Sequence, residues 1–234
     1  MQAKKAVIPQ IKNPVKKIYM QLIIFYKILF VIASYLLGAV PVGYVIYKLK
    51  KGGDIRNEGS GNVGGTNVTR TAGAFAGVLT VVLDAIKGII PVIALYYLFP
   101  KDLILLVFVG VAVVLGHDFS IFLKFKGGKG ISTSFGVIIG ICSFPFNSTS
   151  VWLRILPIFI IFFTWAIIFL AVRIVSLGSL IAAALSGPAF YFTKHTLHAV
   201  IIGIFIFILT AVAHRDNIKR LIRKEEKKLK RKGS

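Results

Sequence analysis

The sequence has a single cysteine, Cys142, set in an apolar run, which excludes a disulfide framework and a thiolate-metal cluster. Acidic residues are scarce, with 8 Asp and Glu against 29 Lys and Arg and a formal charge of +21. No polar run is long enough to form a separate soluble domain. What fills the chain instead is hydrophobic: 56% of the 234 residues are apolar or aromatic, and the mean hydropathy is +0.83. Stretches able to cross a ~30 Å hydrocarbon core recur from end to end, so this is a polytopic membrane protein. Its basic residues cluster at the ends of apolar segments. Orientation in the bilayer and anionic headgroups account for them better than nucleic acid does.

The apolar pattern predicts an all-α fold of seven membrane helices at about 22–47, 74–99, 103–122, 131–146, 150–172, 175–192 and 197–213. The fourth, sixth and seventh are short for a full span, which points to tilt, local thinning or partial crossing. The chain then divides into a basic N-terminal extension (1–21), a membrane domain (22–213) and a basic tail (214–234). Seven crossings put the termini on opposite sides. With the C-terminus cytoplasmic, the inner segments 48–73, 116–130, Arg173 and 214–234 hold most of the 29 Lys and Arg residues. The outer loops then hold only Lys101 and Lys194, with Arg154 nearby, so the positive-inside rule favours this orientation. The N-terminal tail, outside in this arrangement, disagrees through Lys4, Lys5, Lys12, Lys16 and Lys17.

With this topology four polar stretches fall on one membrane face: GSGNVGGTNVTR (59–70), GHDFSIFLKFKGGKGIST (116–133), RIVSLGS (173–179) and HRDNIKR (214–220). A purely structural membrane protein has no need of that convergence. In the first stretch, Gly59, Gly61 and Gly64 fit the dinucleotide pattern G-x-G-x-x-G, but the upstream KLKKGGDIR is charged and glycine-broken where a buried strand is required. The loop reads better as a phosphate cradle. Its glycines admit backbone N–H groups, Ser60, Asn62, Thr66 and Asn67 add neutral donors, and Arg70 can grip phosphate oxygens with two bonds. In the second stretch, Gly127, Gly128 and Gly130 surround Lys129 just before an apolar helix, an anion site made of loop, cation and helix N-terminus. Gly130 stands where a Walker loop would need Ser or Thr, so no metal motif accompanies it.

Plainer readings stay open beside these. Glycines near helix ends also serve turns and packing. His117 and Asp118 read more readily as a helix cap than as catalytic groups. Asp84 and Lys87, at i and i+3, can pair on one face and support the site or lock packing. His195 and His198 fall on the outer side with a solvated role, and NST at 147–149 matches a glycosylation sequon. From Arg215 on, the tail reads as an interfacial basic helix with a frayed end on anionic lipid.

Together, GSGN-x-G-x-TN-x-x-R, GH…FKGGKG, SL-x-S and HR-x-N-I, at these separations between about residue 28 and 222, resemble the PlsY family of bacterial acyl-phosphate:glycerol-3-phosphate acyltransferases. The resemblance implies a seven-helix enzyme of the bacterial inner membrane with its site at the cytoplasmic face. It implies transfer of a fatty acyl group from acyl phosphate to the 1-hydroxyl of sn-glycerol 3-phosphate, giving lysophosphatidic acid and phosphate, the first step of phospholipid biosynthesis. It assigns Lys129, His214, Asn217 and Ser179 to catalysis, and Ser60, Asn62, Thr66, Asn67, Arg70, Gly127 and Gly128 to substrate binding. No cofactor, metal, nucleic acid or obligate protein partner is implied; the partners are the two substrates and membrane lipids. Gly65 stands where alanine is common in the family, a harmless exchange in a tight loop.

The chemistry of the residues agrees. An acyl phosphate is already activated, so the glycerol hydroxyl can attack it directly, with proximity and electrostatics doing most of the work. Cys142 has no obvious base beside it and is rejected as nucleophile. Lys129 and its loop suit the acyl phosphate or its oxyanion, and Arg70 and its loop suit a phosphate. His214 and Asn217 would position glycerol 3-phosphate. The proton acceptor is either His214 or a substrate phosphate oxygen. A transporter would also use polar loops and an Asp–Lys pair, but no internal repeat with paired broken helices is visible. An acyltransferase with a thioester donor would carry an HxxxxD pair, and none of the 4 histidines has Asp five positions later.

The charge bias predicts that Ser60→Cys and Lys126→Cys, each in a Cys142→Ala background, resist impermeant thiol reagents in intact cells and react once the inner face is exposed. Labelling of both in intact cells would reverse the orientation.

Overall fold

The computed structural model describes residues 14–144, 150–226 and 228, which form helices and short connections with no strand among the described residues. Lys4, Lys5 and Lys12, the sequon at 147–149 and nearly all of the final KKLKRKGS lie outside the described residues. In chain order the helices are α1 (Pro14–Ala39), α2 (Val42–Lys51), α3 (Gly65–Ala72), α4 (Ala74–Leu98), α5 (Leu103–Asp118) and α6 (Ile131–Ser143). They continue with α7 (Val151–Val172), α8 (Val175–Ala184), α9 (Ser186–Phe192), α10 (Leu197–Ala213) and α11 (Arg215–Ile222).

Each expected apolar segment is a helix or a helix pair, but the boundaries differ for identifiable reasons. α1 begins on Pro14, a residue whose missing amide costs nothing at a first helical position, so it takes in part of the stretch read as an extension. Pro41 then interrupts the first segment, separating α1 from α2. The 175–192 segment breaks between α8 and α9 at Leu185. Side-chain caps open three helices: Asp102 accepts from the Leu105 amide, Ser150 from Leu153 and Thr196 from Ala199. Five described spans are long and apolar enough to cross a bilayer alone, and six if α10 and α11, bent by 68°, count as one. α6 has 13 residues and is about 20 Å long, short of a full crossing. The large apolar side chains of α1 and α7 that no protein covers are lipid-facing.

The core lies where α4, α5, α6 and α10 meet, around Val92, Leu106, Val113, Val137, Ile141 and Ile202. Hydrocarbon gives no hydrophobic drive between helices, so close backbone approach matters more here than in water. Gly88 on α4 faces the Thr133 carbonyl and Gly136 on α6 faces the Ala85 carbonyl so closely that a Cβ at either would collide with backbone. Gly38 and Gly116 make the same contact between α1 and α5. These crossings fix the start of α6, and with it the loop that carries Lys129. Gly136→Ala should therefore lower the thermal midpoint in detergent by the equivalent of about 1–3 kcal/mol, the usual cost of overpacking. An unchanged midpoint would mean that the crossing is not tight.

Candidate active site

The four polar stretches converge on one cleft of about 1170 Å³. Its polar part contains every residue singled out in the sequence: Ser60, Asn62, Thr66, Asn67, Arg70, Gly127, Gly128, Lys129, Ser179, His214 and Asn217. Its apolar part runs between α6, α7, α8 and α10 along Phe135, Ile138, Phe162, Trp165, Ala182 and Ile206.

The first motif is half loop, half helix. Gly64 ends the loop and α3 carries Thr66 to Arg70, so the second half is not the open loop that the sequence suggested. Asn67, 1% exposed, is the loop's staple. Its Oδ1 accepts from the Ser60 amide at 2.9 Å, and its Nδ2 donates to the carbonyls of Glu58 and Asn62, both at 2.9 Å. Asn62 Oδ1 accepts from the Gly64 amide at 2.8 Å. The expectation that Asn67 offers a donor to a substrate is therefore corrected, since its Nδ2 is spent on the loop, whereas Asn62 uses only its Oδ1 there and still lines the cleft. Ser60 and Arg70 remain exposed on the cleft wall. Glycine suits position 65 in this packing, since a Cβ there would press on Val81 Cγ2 at 2.5 Å.

The glycines of the second motif also work differently from a simple anion cradle. The Gly127 amide donates to the Asp118 carbonyl at 3.1 Å and the Gly128 amide to the His117 carbonyl at 3.0 Å. Those two amides fold the loop onto the end of α5, which leaves the Lys129 ammonium and the α6 N-terminus as the anion-binding parts. His117 is no helix cap. Its Nδ1 lies 3.2 Å from Thr133 Oγ1 and 3.6 Å from Asp84, whose carboxylate pairs with Lys87 at 2.9 Å. Lys87 also donates to the Val40 carbonyl at 3.0 Å, at the break between α1 and α2. The buried ion pair thus locks packing beneath the loop.

At the mouth, Lys129 Nζ donates to Asn217 Oδ1. Asn217 Nδ2 donates to Glu226 Oε1 at 2.6 Å. Ser176 Oγ donates to the same oxygen at 2.9 Å, and Arg220 Nε to Oε2 at 2.6 Å. Lysine can only donate and a carboxylate only accept, so the Asn217 amide has one possible orientation. Burial opposes charge on Glu226, but hydrogen bonds from Arg220, Asn217 and Ser176 outweigh it and hold the carboxyl below its ordinary range. Burial draws the Lys129 ammonium below its ordinary value; Arg220 adds to this, while Glu226 and Asp216 oppose it.

Sequence reasoning missed Glu226, Arg220 and Ser176 as site residues. The sequence predicts an interfacial basic helix with a frayed end; the helix is α11, but a left-handed turn at Lys224 (φ 59°) follows it and Glu226 folds back into the cleft. Only the contact itself distinguishes Glu226 from Glu225. Two outer-side expectations also change. His195 Nε2 stands 4.0 Å from Cys142 Sγ, and His195 packs on Phe190 and Thr193. A base does lie beside the thiol, but the pair is at the end of α6 opposite Lys129 and outside the cleft lining. No metal-binding group of three or more His, Cys, Asp or Glu occurs among the described residues.

A family model described as glycerol-3-phosphate acyltransferase matches residues 28–224. A glycerol-3-phosphate acyltransferase of Aquifex aeolicus is 44% identical over 193 residues, 82% of this chain and 93% of that protein. One of Endomicrobium trichonymphae is 40% identical over 204 residues, covering 87% and 96%. Among solved structures, the glycerol 3-phosphate form of PlsY, an integral membrane glycerol 3-phosphate acyltransferase, superposes with a TM-score of 0.77 at 38% identity, covering 88% of this chain and 96% of that one. Its lysophosphatidic acid form gives 0.76 at 37% identity over the same shares.

Burial pushes the His214 imidazole down to about 4, and the nearby Lys129 charge adds to this. Its Nδ1 donates to the Thr210 carbonyl at 2.9 Å, which leaves the Nε2 lone pair as an acceptor. A step that needs neutral His214 should keep its rate as pH falls through the ordinary histidine value of about 6.5, and lose it only near 4. A pH–rate profile on wild type and His214→Gln checks this. An acid limb near 6.5 that vanishes in His214→Gln would refute it, whereas one that persists belongs to a substrate phosphate, whose second pKa is about 6.

Proposed function

The chain belongs to the glycerol-3-phosphate acyltransferase family and is an integral membrane acyltransferase; we propose that it moves a fatty acyl group from acyl phosphate to the 1-hydroxyl of sn-glycerol 3-phosphate. The observation that carries this reading is the two-part cleft, in which a cationic polar mouth opens directly onto an apolar groove between membrane helices. Both substrates carry phosphate, and one also carries a fatty chain. Arg70 and Lys129 offer separate cations to the phosphates, while the groove along α6, α7, α8 and α10 suits the chain.

In this mechanism the 1-hydroxyl oxygen attacks the acyl carbonyl carbon, a C–O bond forms, and the anhydride C–O bond breaks as inorganic phosphate leaves. Lys129 meets the charge that grows on the carbonyl oxygen. His214 Nε2 accepts the hydroxyl hydrogen and so aims the nucleophile. A histidine depressed to about 4 retains a proton poorly, so the proton passes to the departing phosphate, a stronger base. No residue needs to become acylated. Asn217 orients Lys129, and Ser179 on the cleft wall is a further hydroxyl for the substrates. The site belongs on the cytoplasmic face of a bacterial inner membrane, with the C-terminus inside and the N-terminus outside, for the charge-bias reason given above.

Purified protein given acyl phosphate and glycerol 3-phosphate should release phosphate and form lysophosphatidic acid in equal amounts, without coenzyme A, carrier protein or added metal. Lys129→Ala should lower turnover by about 10²-fold or more at little cost in thermal stability, and Lys129→Arg should rescue poorly because a planar fork does not reproduce a compact charge. Strict dependence on acyl-CoA would refute the donor. Near-normal turnover in folded Lys129→Ala would remove the lysine from the mechanism.

A further inference from the structure

Between the end of α5 and Gly127 the chain carries apolar and cationic side chains together on its surface, in a segment that acyl transfer leaves without a task. Ile121, Phe122 and Phe125 are exposed, the two rings to 58% and 61%, and so are Lys124 and Lys126. No acidic residue occurs from Phe119 to Ser143. The segment is firmly built. Ser120 Oγ donates to the Ala39 carbonyl at the break after α1, and Leu123 is buried in the cluster of Tyr47, Ile55 and Val68. Six successive amides, Leu123 to Gly128, donate to carbonyls between His117 and Leu123. Lys124 and Phe125 hold φ of 53° and 61°, a left-handed pair that side chains other than glycine rarely adopt. Such strain persists only where surrounding contacts enforce it, and here they enforce a shape that leaves both rings outside the protein.

What covers the rings follows from depth. Asp102, paired with Lys27 at 2.6 Å, marks the far end of α5 with charge. From there the 16 residues of α5 rise about 24 Å, and any tilt shortens that, against a hydrocarbon core of ~30 Å. The segment after Asp118 therefore lies at the boundary of acyl chains and headgroups, on the face that carries the cleft. Backbone at that depth needs its amides bonded within the protein, as these are. Aromatic rings beside lysines suit the same layer, where rings rest on acyl carbons and ammonium groups meet lipid phosphates. The acyl donor does not account for the tip, because Phe125 and Lys126 line the cleft but Ile121, Phe122 and Lys124 do not. We propose that residues 121–126 are a docking element for anionic phospholipid, with Phe122 and Phe125 seated at the acyl boundary and Lys124 and Lys126 on lipid phosphates. α2, which shares the Leu123 cluster through Tyr47, ends in the same pattern, with Leu49 84% exposed among Lys48, Lys50 and Lys51. The docked tip runs directly into the loop of Lys129, so the charge of the surrounding leaflet bears on the cation that meets the substrates. That effect on rate rests on the acyl transfer proposed above; the docking itself does not.

Two measurements on the full chain in lipid nanodiscs test this. A spin label on Phe122→Cys, in a Cys142→Ala background, should collide more with oxygen than with a water-soluble nickel chelate. The reverse order would place the tip in water and overturn the proposal. The second measurement is kcat/KM for acyl phosphate at saturating glycerol 3-phosphate. It is compared between discs of phosphatidylcholine and discs of phosphatidylcholine and phosphatidylglycerol in equal parts. Taking the ratio of mixed to neutral discs for each protein, and then comparing proteins, cancels the repulsion of the anionic donor by anionic lipid. The ratio should be about 5-fold lower in Lys124→Gln than in wild type, the scale of one lysine at an anionic surface. Lys124→Arg, which keeps the charge, should match wild type. An equal ratio in Lys124→Gln and wild type would overturn the docking; if the rate of Lys124→Gln fell alike in both discs, the segment would serve the donor instead. A wild type that does not use acyl phosphate at all would overturn the donor reaction, and the depth of the label would then decide the docking alone.

Discussion

Two hydrogen bonds fold the loop at 127–130 onto the end of α5, from the Gly127 and Gly128 amides to the Asp118 and His117 carbonyls, and the active site depends on them. They close off α5, turn the chain and start α6 at Gly130, so the only freedom left to Lys129 is in its side chain. The loop can lie so close because a Cβ at Gly127 would meet the His117 carbonyl, and one at Gly128 the His117 ring. His117 is held from behind by Thr133 and the Asp84–Lys87 pair, and Lys87 also satisfies a carbonyl that the Pro41 break leaves without a helical partner. A change deep in α4 therefore acts on the loop through one imidazole ring, with no direct contact to substrate.

The architecture was largely legible because a bilayer imposes a strong, simple demand. Every apolar run long enough to span is a helix or helix pair, and the polar stretches between them share one cleft. What the pattern did not show is where helices break or begin early, since that depends on single residues such as Pro41 and Pro14 and on tertiary partners for the freed backbone groups. α3 escaped notice because a stretch rich in Gly, Asn and Thr is a poor helix former; packing of Val68 and Ala72 with Ile55 and Ala76 stabilises it.

The membership of the site was easier to read than the role of each member. Asn67 and Asn217 are the same residue type in two motifs of the same cleft. Asn67 spends its amide on three backbone groups of its own loop, whereas Asn217 joins Lys129 to Glu226 across the cleft. A side chain with both donor and acceptor can do either, and only its neighbours decide. Glu226 was hidden for a different reason. In a tail dominated by Lys and Arg a pair of adjacent carboxylates looks like charge balance, and the function of Glu226 depends on a left-handed turn at Lys224 that lysine rarely adopts.

The order of groups at the mouth has a physical logic. A lysine that must stabilise transient negative charge should be held in place without being neutralised, because interactions satisfied equally well before and during reaction do not accelerate it. Had Glu226 contacted Lys129 directly, a charge-assisted bond would have competed with the developing oxyanion. Asn217 separates them. Its neutral carbonyl positions the ammonium but is a weaker partner than an anion, so the reacting oxygen can displace it. The carboxylate one step further out fixes Asn217 through Nδ2 and is itself held by Arg220 and Ser176, which spread its charge away from the lysine. Burial that draws the Lys129 ammonium below its ordinary value acts in the same direction, since a poorly hydrated cation gains more when substrate charge grows beside it.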